Sequence, residues 1–175
     1  MKRIMIIGSP GSGKSFLARK LHERINLPVI HLDRLYWKPG WVKTEHEEWR
    51  LLLQEIVEQP KWIIDGQYGS TLDIRMQAAD TVIFLDTRRL ANIWGVTRRR
   101  LIHLGTSRPD LGPDCVEKIN KDFFLFLKFI WSFGRTSKPA IQALLDKYGE
   151  TKRIIVLKSR KEVQQFVHSL TDIKE

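Results

Sequence analysis

The clearest chemical signal in this chain lies in eight residues, Gly8-Ser9-Pro10-Gly11-Ser12-Gly13-Lys14-Ser15, which read G-x-x-x-x-G-K-S. The apolar run Ile4-Met5-Ile6-Ile7 precedes them. Phe16-Leu17-Ala18-Arg19-Lys20-Leu21-His22-Glu23-Arg24-Ile25 follows, with Phe16, Leu17, Leu21 and Ile25 on one helical face. Strand, glycine turn and helix in that order predict a phosphate cradle. Such a turn aims consecutive backbone N–H groups inward, and the helix N-terminus adds partial positive charge. Gly8, Gly11, Ser12, Gly13, Lys14, Ser15 and Phe16 are the candidate contacts. Pro10 has no N–H and must stand outside the ring of donors. Lys14 has the reach for β- and γ-phosphates, and Ser15 has a hydroxyl to offer Mg²⁺. The pattern predicts binding of a nucleoside triphosphate.

A site of this kind needs a second magnesium anchor, usually an Asp closing a neighbouring apolar strand. Trp62-Ile63-Ile64-Asp65 and Val82-Ile83-Phe84-Leu85-Asp86 both qualify. Asp65 is the better candidate, because Gly66 leaves room beside the phosphates, whereas Asp86 opens a basic helix that it could simply cap. Asp33 closes His31-Leu32-Asp33 at the carboxyl end of a strand, where open parallel sheets bind their ligands. A carboxylate there can take the proton of an attacking hydroxyl or hold magnesium through water; the alternative is a turn cap. Tyr36, Trp37 and Trp41 flank a Pro39-Gly40 turn and either stack on a flat substrate or pack the segment onto the sheet. Trp49, on a helix face, is expected in the core. Arg88, Arg89, Arg98, Arg99, Arg100 and Arg108 crowd one stretch. Three adjacent arginines on a helix point in three directions, so Arg99 and Arg108 are taken as the pair that closes over a transferring phosphoryl group. A solvated basic face is the alternative.

The elements that must position these groups are legible as alternating runs. Near-continuous apolar segments at about 3–7, 28–32, 62–65, 81–85 and 153–157 predict strands buried on both faces, as in a parallel sheet. Between them fall helical patterns. One opens on a Thr44–Glu47 capping box and ends before Pro60, and others cover 71–78 and 88–103. Further helices are expected from 115 to 133, stopping at Gly134, from 138 to 148, and after a Ser159–Glu162 box. The alternation predicts an α/β domain spanning 1–175. The single Cys115 excludes an internal disulfide, and no Cys/His cluster has zinc spacing. Met1-Lys2-Arg3 leads straight into a strand, and the longest apolar stretch, 123–131, is too short for a bilayer, so a cytoplasmic protein without a membrane partner is expected. The formal net charge of +10 suits polyanionic partners, either nucleotides or nucleic acid. Phe123, Phe124, Phe126, Leu127, Ile130 and Trp131 cover more than one helical face, so the chain is read as a monomer or a homodimer.

Together these features resemble the adenylate-kinase-like P-loop (Walker A) kinases. The phrases HLDRLYWKPGW, WIIDGQY, AADTVIFLD and TSRPDLGPDC resemble more narrowly the bacterial DNA topology modulation proteins, over about 1–160. The resemblance implies a three-layer α/β/α fold with a five-stranded parallel sheet in order 2-3-1-4-5. It also implies an acceptor-binding insert at about 34–61 and a lid at about 100–115. By the same resemblance Arg75 falls where an acceptor phosphate is gripped, and ATP with Mg²⁺ is the expected donor. The chain departs from that pattern where aromatic-Pro-Arg would follow Asp65-Gly66, since it has Gln67-Tyr68-Gly69. It also has Gly95 one turn before Arg99, where a donor-base arginine is expected. The function implied is an ATP-dependent kinase for a small, nucleotide-like acceptor; the alternative is a nucleotide-regulated DNA-binding protein.

Overall fold

The computed structural model describes residues 1–107, 111 and 114–170. Five strands form one parallel sheet: β1 (Arg3–Gly8), β2 (Val29–His31), β5 (Trp62–Asp65), β6 (Thr81–Leu85) and β7 (Arg153–Leu157). Their order is β2-β5-β1-β6-β7, the expected 2-3-1-4-5 once the strands are counted along the sequence. Two further short strands, β3 (Trp37–Lys38) and β4 (Val42–Lys43), pair antiparallel as a hairpin that the sequence pattern did not reveal.

The side chains of the central strands alternate between two cores. Met5, Ile7, Ile64, Val82 and Phe84 meet Trp49, Leu53, Leu72, Met76, Ile141 and Leu145 on one face. Ile4, Ile6, Ile63, Ile83 and Leu85 meet Leu17, Leu21, Val163 and Val167 on the other. With both faces covered, no position on β1 or β6 needs to be polar for solvent's sake, which is why their runs read as continuous. Each fully buried aliphatic side chain contributes about 1.5–3 kcal/mol, so these two layers dominate the stabilising side of folding.

The helices are α1 (Lys14–Ile25), α2 (Leu32–Tyr36), α3 (His46–Glu58), α4 (Leu72–Ala78), α5 (Arg89–Ile102), α6 (Lys121–Thr136), α7 (Lys138–Tyr148) and α8 (Arg160–Ser169). Four differ from expectation in ways that matter. The second strand stops at His31 and Leu32 starts α2, so Asp33 lies in the first turn of a short helix rather than on the strand. Thr44 does not cap α3; its hydroxyl donates to Tyr36 O at 2.8 Å and ties the β3–β4 hairpin back to α2. On α1, Leu17, Ala18 and Leu21 are buried, but Phe16 is 44% exposed. Finally, α6 starts at Lys121, later than expected, and runs through Gly134.

That last shift has a local cause. Residues 116 and 117 are engaged in bridges to Ser107 and Leu104, and Asn120 then caps the helix by accepting from Phe123 N–H at 3.1 Å. At the other end the break comes from Pro139, which lies in the first turn of α7, not from Gly134. The Ser159–Glu162 box forms as expected, with Glu162 N–H donating to Ser159 Oγ at 3.2 Å.

Candidate active site

The loop between β1 and α1 is built to leave its helix end open. Gly13 takes the N-cap position in a left-handed conformation, φ 100°, no side chain caps the helix, and no acidic residue sits in its first turn. The positive end of α1 therefore meets no negative side chain of its own, which is the condition for binding an external anion. The loop is braced from outside: Ser12 N–H donates to Ser9 O at 3.2 Å, and Gly8 N–H donates to Gln67 Oε1 at 3.1 Å. Ser12 Oγ is buried with no hydrogen-bond partner among the described residues. A buried hydroxyl without a partner is costly, and a phosphate oxygen would satisfy it.

Helix α5 presses on the loop closely enough to explain two glycines. A Cβ on Gly11 would lie 2.1 Å from Asn92 O, and a Cβ on Gly95 would lie 2.8 Å from Gly11 O. Gly95 thus stands in place of an arginine because the helix backbone packs directly on the loop backbone. Asn92, buried on that helix face, is held by its amide donating to Thr87 O at 3.2 Å. Neither Asn92 nor Gln67 carries a sequence signal that would have marked it as part of the loop's support.

Lys14 reaches back over the loop, its ammonium donating to Gly8 O and Ser9 O at 3.0 Å each. Burial pushes its pKa down to about 8; Asp33 and Asp65 oppose that shift and Arg99 adds to it. Four of the residues expected in the site, Lys14, Asp33, Asp65 and Arg99, are thereby within electrostatic reach of one another. They come from α1, α2, β5 and α5.

The two candidate magnesium aspartates separate cleanly. Asp86 Oδ2 accepts from Lys138 Nζ at 2.8 Å, so it ties α7 to the end of β6, and it does not cap α5, whose N-cap is Arg88. Asp65 is 4% exposed and pairs across the sheet edge with His31, Oδ1 to Nδ1 2.6 Å. With Ser15 it offers hard oxygen donors, which fit a magnesium ion that keeps most of its water and takes other oxygens from phosphate. His31 is a partner the sequence reading missed, although it lies two residues before Asp33.

Asp33 is oriented by another missed residue. Tyr68 donates its hydroxyl to Asp33 Oδ1 at 2.6 Å. Burial first, and then the Asp33 charge, push the Tyr68 phenol far above its ordinary range, so it remains a donor. Its ring packs 4.6 Å from Tyr36 and 5.1 Å from Trp49, while Tyr36 meets Trp37 edge-on at 5.1 Å. Trp49 is buried as expected. Tyr36 and Trp37 keep partial exposure and form a half-open aromatic wall beside Asp33.

Arg75 lies fully buried, not in the crevice. Its guanidinium donates to Thr71 O at 3.2 Å, Gly66 O at 3.0 Å and Tyr68 O at 2.6 Å, and burial pushes its pKa down to about 10. Of the adjacent arginines, Arg98 is exposed, Arg99 lies within electrostatic reach of Lys14, and Arg100 forms an ion pair with buried Glu117 beneath Phe123 and Trp41. Trp41 donates to Val116 O at 3.0 Å, which docks the insert hairpin on the segment after α5. Arg108, with part of the expected lid at 100–115, lies outside the described residues.

The arrangement of sheet, loop and helices has counterparts among solved structures. Shikimate kinase from Acinetobacter baumannii, in complex with shikimate, aligns over 100% of this chain and 96% of its own, with 13% identity and a TM-score of 0.61. Shikimate kinase from Bacteroides thetaiotaomicron, solved at 1.7 Å resolution, covers 98% and 97% with 21% identity and a TM-score of 0.53. The fold is that of the P-loop kinases. No protein-family model and no curated protein matches the sequence. At such identities the likeness concerns the P-loop kinase fold alone, and the chemistry has to be argued from this chain's own side chains. No helix among the described residues is long and apolar enough to cross a membrane.

Proposed function

We propose that the chain is an ATP-dependent kinase that transfers a phosphoryl group to the hydroxyl of a small molecule. The observation that carries this reading is the half-buried Lys14 at an uncapped helix end, with Asp33, Asp65 and Arg99 gathered round it from three other elements. The loop amides and Lys14 hold the donor phosphates. Ser15 and Asp65 hold magnesium, which neutralises phosphate charge when bound. Asp33, set by Tyr68, orients the acceptor hydroxyl and takes its proton, while Arg99 faces the charge that develops during transfer. The insert at 34–61 carries the acceptor side, and the region from 100 onward, with Arg108, the closing side. The solved structures named above are kinases of a small molecule, shikimate, which agrees with this division of labour. A cytoplasmic location is part of the proposal.

The test is transfer of labelled phosphate from Mg-ATP to a panel of small alcohols and nucleotides. Lys14→Ala should lower turnover roughly 10²–10³-fold, the scale for losing one donor to the transition state. Full activity in that variant would place the site elsewhere. A second reading, nucleotide-regulated DNA binding, rests on the resemblance to the DNA topology modulation proteins, and the net charge of +10 favours it. Binding to duplex DNA that falls steeply with salt and ignores ATP would support it over the kinase reading.

A further inference from the structure

We infer that the acceptor is a neutral ring alcohol carrying no phosphate, recognised by the Tyr36–Trp37 wall and the Asp33–Tyr68 pair. The inference rests on the kinase reading and narrows it. Its ground is the state of the cations on the acceptor side. Residues 34–78 contain six, namely Arg34, Lys38, Lys43, Arg50, Lys61 and Arg75. Arg75 has the position expected for an acceptor-phosphate grip, yet it is fully buried and bonded to three backbone carbonyls of the 66–71 turn. Arg50 binds Ser70 O and pairs with Asp73 at 3.2 Å, and Lys38 pairs with Glu48 at 2.7 Å. Arg34, Lys43 and Lys61 are exposed. Arg34 follows Asp33 directly on α2, and so projects about 100° round the helix from it.

What the acceptor side presents beside Asp33 is aromatic and acidic. Tyr68 occupies Oδ1 of Asp33 and leaves Oδ2 as the oxygen that can accept from a substrate hydroxyl. Arg75 serves this arrangement at one remove. By gripping Tyr68 O it holds the turn that carries the tyrosine, which makes it a positioning residue. A phosphate brought beside this wall would face a carboxylate and ring faces. Among the described residues of 34–78, Arg75, Arg50 and Lys38 are already engaged elsewhere and do not offset its desolvation, whereas the flat or apolar face of a neutral ring loses only water. In the transfer itself, the acceptor oxygen bonds to the γ-phosphorus as its bond to the bridging oxygen of ATP breaks. The hydroxyl proton passes to Asp33, and ADP leaves.

The experiment uses the full chain with Mg-ATP and matched pairs of probes: adenosine and AMP, thymidine and its monophosphate, myo-inositol and its monophosphate. At least one neutral member should be phosphorylated with kcat/KM about a hundredfold or more above that of its phosphorylated partner. A monophosphate that matches or exceeds its neutral partner overturns the inference. So does transfer to none of the neutral members while ATP still binds. Tyr68→Phe keeps the packed ring and removes only the hydroxyl. It should lower kcat about tenfold or more with the KM for ATP unchanged, a split that a merely structural role would not produce. Loss of ATP binding, or transfer indifferent to Lys14→Ala, would instead fail the kinase reading itself.

Discussion

Lys14 shows how one side chain can link folding, pH and binding. Its pKa of about 8 in the folded chain lies below the ordinary 10.5, because burial disfavours the ammonium. Between those values the unfolded chain binds more protons, so the contribution of this group to stability rises with pH across about 8 to 10.5. Phosphate binding has the opposite sign, since it needs the ammonium. ATP affinity should therefore be flat below about pH 8 and fall roughly tenfold per unit above it, with uptake of one proton on binding. Calorimetry in two buffers of different protonation enthalpy measures that uptake directly, and a proton-neutral complex at pH 9 would contradict the assignment. Arg75 makes a prediction of another kind. Arg75→Met leaves three buried carbonyls without their donor, so unfolding in urea should show a loss of about 3 kcal/mol or more.

At the level of elements, the contact of α5 with the phosphate loop is the constraint that matters most. Two glycines on α5 and α6 test it as a pair. Gly95→Ala would place a Cβ 2.8 Å from Gly11 O, forcing the helix off the loop. Although Ala in a helix interior is ordinarily better than Gly by about 1 kcal/mol, this variant should lose ATP affinity severalfold as the loop shifts. Gly134, inside α6, would meet nothing within 4 Å if it carried a Cβ, so it lacks any such obstacle. Gly134→Ala should raise stability by about 0.5–1 kcal/mol and leave ATP affinity alone, as paired melts and titrations would show. The hairpin β3–β4 belongs to the same scale. Trp41, at φ 64° in its turn, reaches Val116 and sits over Arg100. The hairpin and the segment after α5 therefore touch through a residue whose sequence context suggested stacking or local packing.

For the whole molecule, ligand and fold are coupled by mass action. Mg-ATP at about a hundred times its Kd should stabilise the chain by about 2.7 kcal/mol, which for a chain of this size is a rise in Tm of about 5–10 °C. The shift should vanish in Lys14→Ala, and differential scanning fluorimetry reads both. The exposed apolar side chains of α5 and α6, among them Trp94, Phe124 and Trp131, remain outside the two main cores. Core packing absorbs Phe123, Ile130 and Phe133 of α6, with Phe126 and Leu127 partly buried against it, while Phe124, Leu125, Phe129 and Trp131 stay exposed.

The five sheet strands and the phosphate loop could be read before any coordinates, because each depends on contiguous residues; the strand order was implied only by the resemblance to P-loop kinases. Burial on both sheet faces writes itself as unbroken apolar runs, and a phosphate cradle requires glycines, lysine and serine at fixed spacing. Groups that meet across the chain left no such trace. Tyr68 finds Asp33 from 35 residues away, His31 finds Asp65 from 34, and Gln67 finds Gly8 from 59. The same folding turned Arg75 inward to hold a turn and sent Asp86 to Lys138, although the resemblance implied a phosphate grip for the first and a strand-end position made the second a magnesium candidate. A side chain's chemistry is set by its type, but its partner is set by which elements pack together, and that is a property of the assembled sheet and its helices rather than of any local stretch.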